Sequence, residues 1–124
     1  MMNKTVYLVD DSVTILTSVS SMLERAGYTV RKASSAEEAL RYFSQPNSSA
    51  HLLLTDLNMP GMNGIELIRA IRQITHHRFM PILFLTTESQ MERKQEAKAA
   101  GASGWIVKPA KADALLQTVS LFVH

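Results

Sequence analysis

Cysteine is absent from all 124 residues, which excludes a disulfide frame, a thiolate nucleophile and a zinc–thiolate centre. No apolar run approaches the roughly 18 residues of a membrane span. Met1-Met2-Asn3-Lys4 leads directly into the first strand pattern, so no signal peptide is expected. These absences predict a cytoplasmic protein with no membrane partner. Charge of one sign is also scarce. A formal net charge of +2 is too small to argue for nucleic acid. There are no repeats, low-complexity tracts or linkers. What remains is an ordinary composition, 46% hydrophobic and 19% charged, which at this length predicts one domain over residues 1–124 with room for a single core.

Strand and helix patterns alternate along the chain. Short apolar runs rich in β-branched residues read as buried parallel strands. They fall at Thr5 to Val9, Leu52 to Thr55, Pro81 to Leu85, and Trp105 to Val107 between Gly104 and Pro109. Tyr28 to Lys32 alternates apolar and polar residues and reads as a half-exposed edge strand. Helix one follows Ser12, with Ile15, Leu16, Val19, Met22, Leu23 and Ala26 at helical spacing and Gly27 as a left-handed stop. Helix two opens on the capping box Ser35-Ala36-Glu37-Glu38 and buries Ala39, Leu40 and Phe43. Asn63 caps helix three, which buries Ile65, Leu67, Ile68, Ile71 and Ile74. Helix four starts with a second box, Ser89-Gln90-Met91-Glu92, and has a thin apolar face. Helix five runs from about Lys111 and buries Ala112, Leu115, Leu116, Val119 and Phe122. Five βα units with right-handed crossovers predict a doubly wound, flavodoxin-like parallel sheet with helices on both faces. With strand two on an edge, the order 2-1-3-4-5 is favoured.

In such a sheet, ligands bind beyond the carboxyl ends of the strands. Asp10 and Asp11 follow strand one, Asp56 follows strand three, Thr86 closes strand four and Lys108 follows strand five. Three clustered carboxylates disfavour one another's ionisation unless a cation joins them. Hard oxygen ligands with no His or Cys nearby indicate Mg²⁺ or Mn²⁺. The pattern therefore predicts a site for a divalent cation and a phosphoryl group.

Four segments carry a resemblance that covers essentially the whole chain. Val9-Asp10-Asp11-Ser12, Leu54-Thr55-Asp56-Leu57-Asn58-Met59-Pro60-Gly61-Met62-Asn63-Gly64, Leu85-Thr86-Thr87-Glu88 and Gly101-Ala102-Ser103-Gly104-Trp105-Ile106-Val107-Lys108-Pro109 resemble the receiver domain of two-component response regulators, of the single-domain, CheY-like chemotaxis kind. The resemblance implies that Asp56 is the phosphoacceptor, taking its phosphoryl group from a histidine kinase as an acyl phosphate. It implies a Mg²⁺ cofactor held by Asp10, Asp11, Asp56 and the main-chain carbonyl of Asn58, with Asp10 acting through water. Lys108, Thr86 and the amide of Thr87 would contact phosphoryl oxygens, and the Lys108–Pro109 bond would be cis. Thr86 and Trp105 would form the switch, the ring moving into space that Thr86 vacates and altering the strand 4, strand 5 and helix 5 surface for an unknown downstream target. A phosphatase is a further implied partner. Such a domain is a signalling element rather than an enzyme, although it assists its own phosphotransfer and dephosphorylation. Trp105 and Ala110 depart from the family's usual Tyr or Phe and Phe.

Other features read more plainly. His76-His77 ends helix three, where a cation suits the helix dipole. Arg93, Lys94 and Lys98 form a solvated face or an acidic-partner surface. Seven methionines are mostly core or loop filler. Two other classes, and one other role for a receiver, stand as alternatives. Asp56-Leu57-Asn58 faintly resembles the Asp-x-Asp motif of Mg²⁺-dependent phosphohydrolases, but its second acid is Asn. An FMN binder would need a phosphate loop where Asp10 and Asp11 stand. A phosphate sink or relay would need no target of its own.

Overall fold

The computed structural model describes residues 4–123, and positions 88, 89 and 91 by backbone alone. The first three residues and the side chain of Ser89 lie outside the described residues. The fourth helix does not start at the predicted Ser89 box: a 3-10 turn covers Glu88–Arg93, and the helix begins at Lys94 with Arg93 as N-cap and no side-chain cap. The strands are β1 (Thr5–Val9), β2 (Thr29–Ala33), β3 (Leu52–Asp56), β4 (Ile82–Thr86) and β5 (Gly104–Val107). The helices are α1 (Val13–Arg25), α2 (Ala36–Phe43), α3 (Gly64–Arg72), α4 (Lys94–Ala100) and α5 (Ala112–Phe122). Short 3-10 segments cover Thr75–His77 and Glu88–Arg93. All strand pairs are parallel, in the order β2-β1-β3-β4-β5. This is the predicted architecture.

The helix ends explain the register. Gly27 takes φ 98°, its amide bonds Glu24 O at 3.0 Å and the amide of Tyr28 bonds Leu23 O at 3.1 Å. This paired closure keeps Tyr28 with α1, so β2 begins one residue later than the hydropathy pattern suggests. Gly101, φ 119°, closes α4 in the same way, with Ala102 N bonding Ala97 O. At α2, Ser35 Oγ accepts from Glu38 N, but Glu38 reaches back to Ser34 N instead of Ser35 N. The full reciprocal box belongs to α3, where Asn63 and Glu66 each accept from the other's amide at 2.9 Å.

The sheet divides the predicted single core into two layers. On one face Phe43, Ile65, Ile68, Ile71, Phe84 and Ala97 pack beneath α2, α3 and α4. On the other, Leu8, Leu23, Leu54, Leu85, Leu115 and Val119 pack beneath α1 and α5. β3 and β4 are buried at every residue, as strands covered on both sides should be, whereas β2 is mostly exposed. β5, predicted as a buried strand, is an edge strand that exposes Trp105 and Val107. Among the predicted helix core residues, Ala26 and Ala112 are exposed. Both sit at helix ends, the C-cap of α1 and the first residue of α5, where the helix overhangs its core stripe.

His77 also differs from expectation. It stands beyond α3 in the 3-10 segment, is 3% exposed, and its Nε2 lies 2.8 Å from Ser48 Oγ. Burial first, and then His76, pull its pKa below the ordinary 6.5 against a hydrogen bond to the Phe43 carbonyl. It is a core residue whose burial favours the neutral ring, and it does not cap the helix terminus.

Candidate functional site

The C-terminal edge of the sheet collects the acidic residues. Asp10 is fully buried just past β1, and its Oδ1 accepts from Ser12 N at 2.9 Å, turning the chain into α1. Asp11 beside it is exposed. Asp56, the last residue of β3, is 4% exposed. β1 and β3 are adjacent strands, so these carboxylates face one another across the switch in strand order. One oxygen from each of Asp10, Asp11 and Asp56 falls within 4.8 Å of the other two.

Lys108 reaches this cluster from the end of β5. Its amide bonds Thr86 O at 2.7 Å, and its Nζ lies 3.0 Å from Asp10 Oδ2 and 3.0 Å from Asp56 Oδ1. Burial pulls the ammonium's pKa down, but the two carboxylates of Asp10 and Asp56 together outweigh it, and the net shift is upward. The Asp56 carboxyl is pushed above its usual range, first by burial and then by the charge of Asp10, with Lys108 opposing. The contact with Asp10 Oδ2 is a charge pair without hydrogen-bond alignment. That oxygen is thus a buried carboxylate oxygen with no hydrogen bond. One lysine cannot neutralise three carboxylates. An under-satisfied buried oxygen among all-oxygen donors fits a hard divalent cation.

The remaining predicted residues surround the cluster. Thr86 is fully buried at the end of β4, and its hydroxyl donates to Thr87 O at 3.1 Å. The amide of Thr87 meets Gln90 Oε1 at 3.3 Å. Asn58 is exposed two residues past Asp56, and the Lys108–Pro109 bond is cis. Trp105 lies on the α4 side of β5, opposite Phe84 in register, with 38% exposure and its ring 6.5 Å from that of Phe84. Beside Lys108, a cleft of about 440 Å³ runs between α1 and the start of α5, lined by Ile15, Val19, Leu85, Pro109 and Ala110. The small Ala110 side chain leaves part of this space open.

Three contacts near the site had no signal in the sequence. Arg93 Nη1 donates to Asn58 Oδ1 at 3.1 Å, Glu37 Oε2 accepts from Met62 N at 2.9 Å, and Lys94 Nζ stands 3.5 Å above the Trp105 ring. Gly64 is required by close approach, since a Cβ there would overlap the main-chain oxygen of Asp56.

Known proteins share this fold. A family profile of the response regulator receiver domain matches residues 6–120. The chain is 34% identical over 115 residues to the chemotaxis protein CheY of Pseudomonas aeruginosa, covering 92% of this chain and 91% of that protein. It is 30% identical over 115 residues to PilH of the same organism, covering 93% of each. Among solved structures, the chemotaxis response regulator CheY4 of Vibrio cholerae superposes with a TM-score of 0.91 at 41% identity, over 98% of this chain and 100% of that one. The likeness runs from β1 through α5, and the chain belongs to the response regulator receiver domain family, as a CheY-like member of two-component signalling.

Proposed function

We propose that residues 1–124 form one phospho-accepting receiver domain and that Asp56 is its acceptor. The observation that carries this reading is the convergence of Asp10, Asp11, Asp56 and Lys108 at one edge of the sheet. An Asp56 carboxylate oxygen attacks the phosphorus of a phosphohistidine on the donor kinase. The P–N bond breaks, its electron pair stays on the imidazole nitrogen, and an acyl phosphate forms on Asp56. Lys108 then exchanges its carboxylate contact for a phosphoryl oxygen, as a point charge. Thr86 donates its hydroxyl to another oxygen, and the Thr87 amide supplies a further donor. Asp10, Asp11, Asp56 and the Asn58 carbonyl would hold Mg²⁺, which supplies neutralisation of the negative charge gathered at the transferring group.

Turning Thr86 toward the phosphoryl group empties space beneath Trp105, and inward movement of the ring reshapes the β4, β5 and α5 surface for a downstream target. Histidine kinases are the donors this reading requires, in the cytoplasm, and chemotaxis is the pathway that the CheY relatives favour. A phosphatase would reset the domain. No described helix is long and apolar enough to cross a membrane.

Acetyl phosphate with Mg²⁺ tests the acceptor. Intact mass should rise by one phosphoryl group in the wild type and not in Asp56→Asn, whose amide cannot form an acyl phosphate. Undiminished labelling of that variant would place the acceptor elsewhere.

A further inference from the structure

Helix α4 begins with two neighbouring cations that hold two different parts of the molecule. Arg93, the N-cap residue, donates to Asn58 Oδ1 at 3.1 Å and pairs with Glu96 Oε1 at 3.4 Å. Asn58 lies two residues past Asp56, at the mouth of the acidic site. Lys94, the next residue, places its ammonium 3.5 Å from the centroid of the Trp105 ring. Trp105 is half-exposed, and the Phe84 ring lies 6.5 Å away between centroids. The acceptor loop and the indole are thus both attached to α4, one peptide bond apart.

We propose that Arg93 and Lys94 are positioning residues which couple the acidic site to Trp105. Lys94 favours the outward ring by its attraction to the indole face. Arg93 makes that attraction answer to the chemistry at Asp56. A phosphoryl group on Asp56 adds negative charge beside Asn58, draws the Arg93 guanidinium toward it, and withdraws Lys94 from the ring. The outward position then loses its cation as Thr86 opens the inward one. The inference rests on the receiver reading and adds to it a residue pair that sets the resting balance of the switch.

The experiment measures acrylamide quenching of Trp105, the only tryptophan, with and without Mg²⁺ and beryllofluoride. Beryllofluoride binding is followed separately by ¹⁹F resonance and melting temperature. Without beryllofluoride, Lys94→Gln should shift the ring inward and lower quenching, by about a two- to fivefold change in population for one exposed cation–π contact. Lys94→Arg should restore wild-type quenching, which a general loss of stability would not do. Arg93→Gln should still bind beryllofluoride while losing at least half of the Trp105 response. Unchanged quenching in Lys94→Gln overturns the proposal, and so does increased quenching, since Lys94 would then only cover the ring. A full Trp105 response in Arg93→Gln also overturns it. Failure of the wild type to bind beryllofluoride overturns the receiver reading itself, and the ¹⁹F signal separates that result from the others.

Discussion

Gly64 and Asp56 stand in direct backbone contact. A methyl group at position 64 would occupy the place of the Asp56 main-chain oxygen, with the Leu57 Cα close behind. Gly64 also donates its amide to Leu57 O at 2.9 Å and opens α3. The first turn of α3 therefore sets where β3 ends and where its terminal carboxylate points. Gly64→Ala should cost about 1–3 kcal/mol by overpacking. It should also slow phosphate uptake from acetyl phosphate in protein that is still fully folded. Denaturant melts and mass spectrometry on one preparation check both effects, and wild-type uptake would show that the acceptor tolerates the shift.

Mg²⁺ should raise the melting temperature. A cation that binds only the native state adds about 2.7 kcal/mol at a hundredfold excess over its dissociation constant. Melts in millimolar Mg²⁺ and in chelator measure the gain. Asp11→Ala should abolish it, because Asp11 is the exposed carboxylate of the cluster. Equal melting temperatures in the wild type would remove the cation site.

Lys108→Ala should destabilise the unliganded protein by about 1–3 kcal/mol, since it leaves two buried carboxylates facing one another with no cation between them. The same loss should make the Mg²⁺-dependent rise in melting temperature larger than in the wild type. A smaller rise would mean that Lys108 helps to hold the metal-ligating geometry instead of standing in for the ion's charge.

His77 predicts an acid limb in the stability profile. Its pKa in the folded chain lies below the ordinary 6.5, mainly from burial. The unfolded chain therefore binds the proton more readily, and stability is complete above pH 6.5 and is lost as pH falls toward the folded value. The charged neighbours do not offset this, because His76 adds repulsion and Arg72, which bonds His77 O at 3.1 Å, is itself a cation. His77→Gln should flatten the profile in this range. An unchanged slope would assign it to the carboxylates.

The elements most legible in the sequence are those fixed by local chemistry. Apolar runs ending in Asp10, Asp56 and Lys108 reveal strand ends, and Gly27 and Asn63 mark a helix stop and a helix start by their own backbone and capping preferences. The clustering of the acidic residues followed from topology alone, because strand order brings their termini together. What stayed hidden depends on distant partners. His77 looks like a surface histidine until Ser48 and Phe43 close over it. Arg93 and Lys94 look like solvated charge until the fold sets them beside Asn58 and Trp105. Ala26 and Ala112 match the helical period but lie where the helices run past the sheet.

The segment after Asp56 has the makeup of a permissive surface turn, with exposed Asn58, Pro60 and Gly61. Its fastening is of another kind. Glu37 of α2 holds Met62 from one side, Arg93 at the head of α4 holds Asn58 from the other, and Gly64 returns to Leu57. Its length is consequently as constrained as its chemistry. A single residue inserted between Asn58 and Met62 would put both side anchors out of step, whereas the Pro46–Ser49 turn is anchored to the core through Ser48 and His77, away from the acidic edge. An insertion in the first loop should be felt in phosphate uptake and one in the second in stability alone, although their compositions look alike.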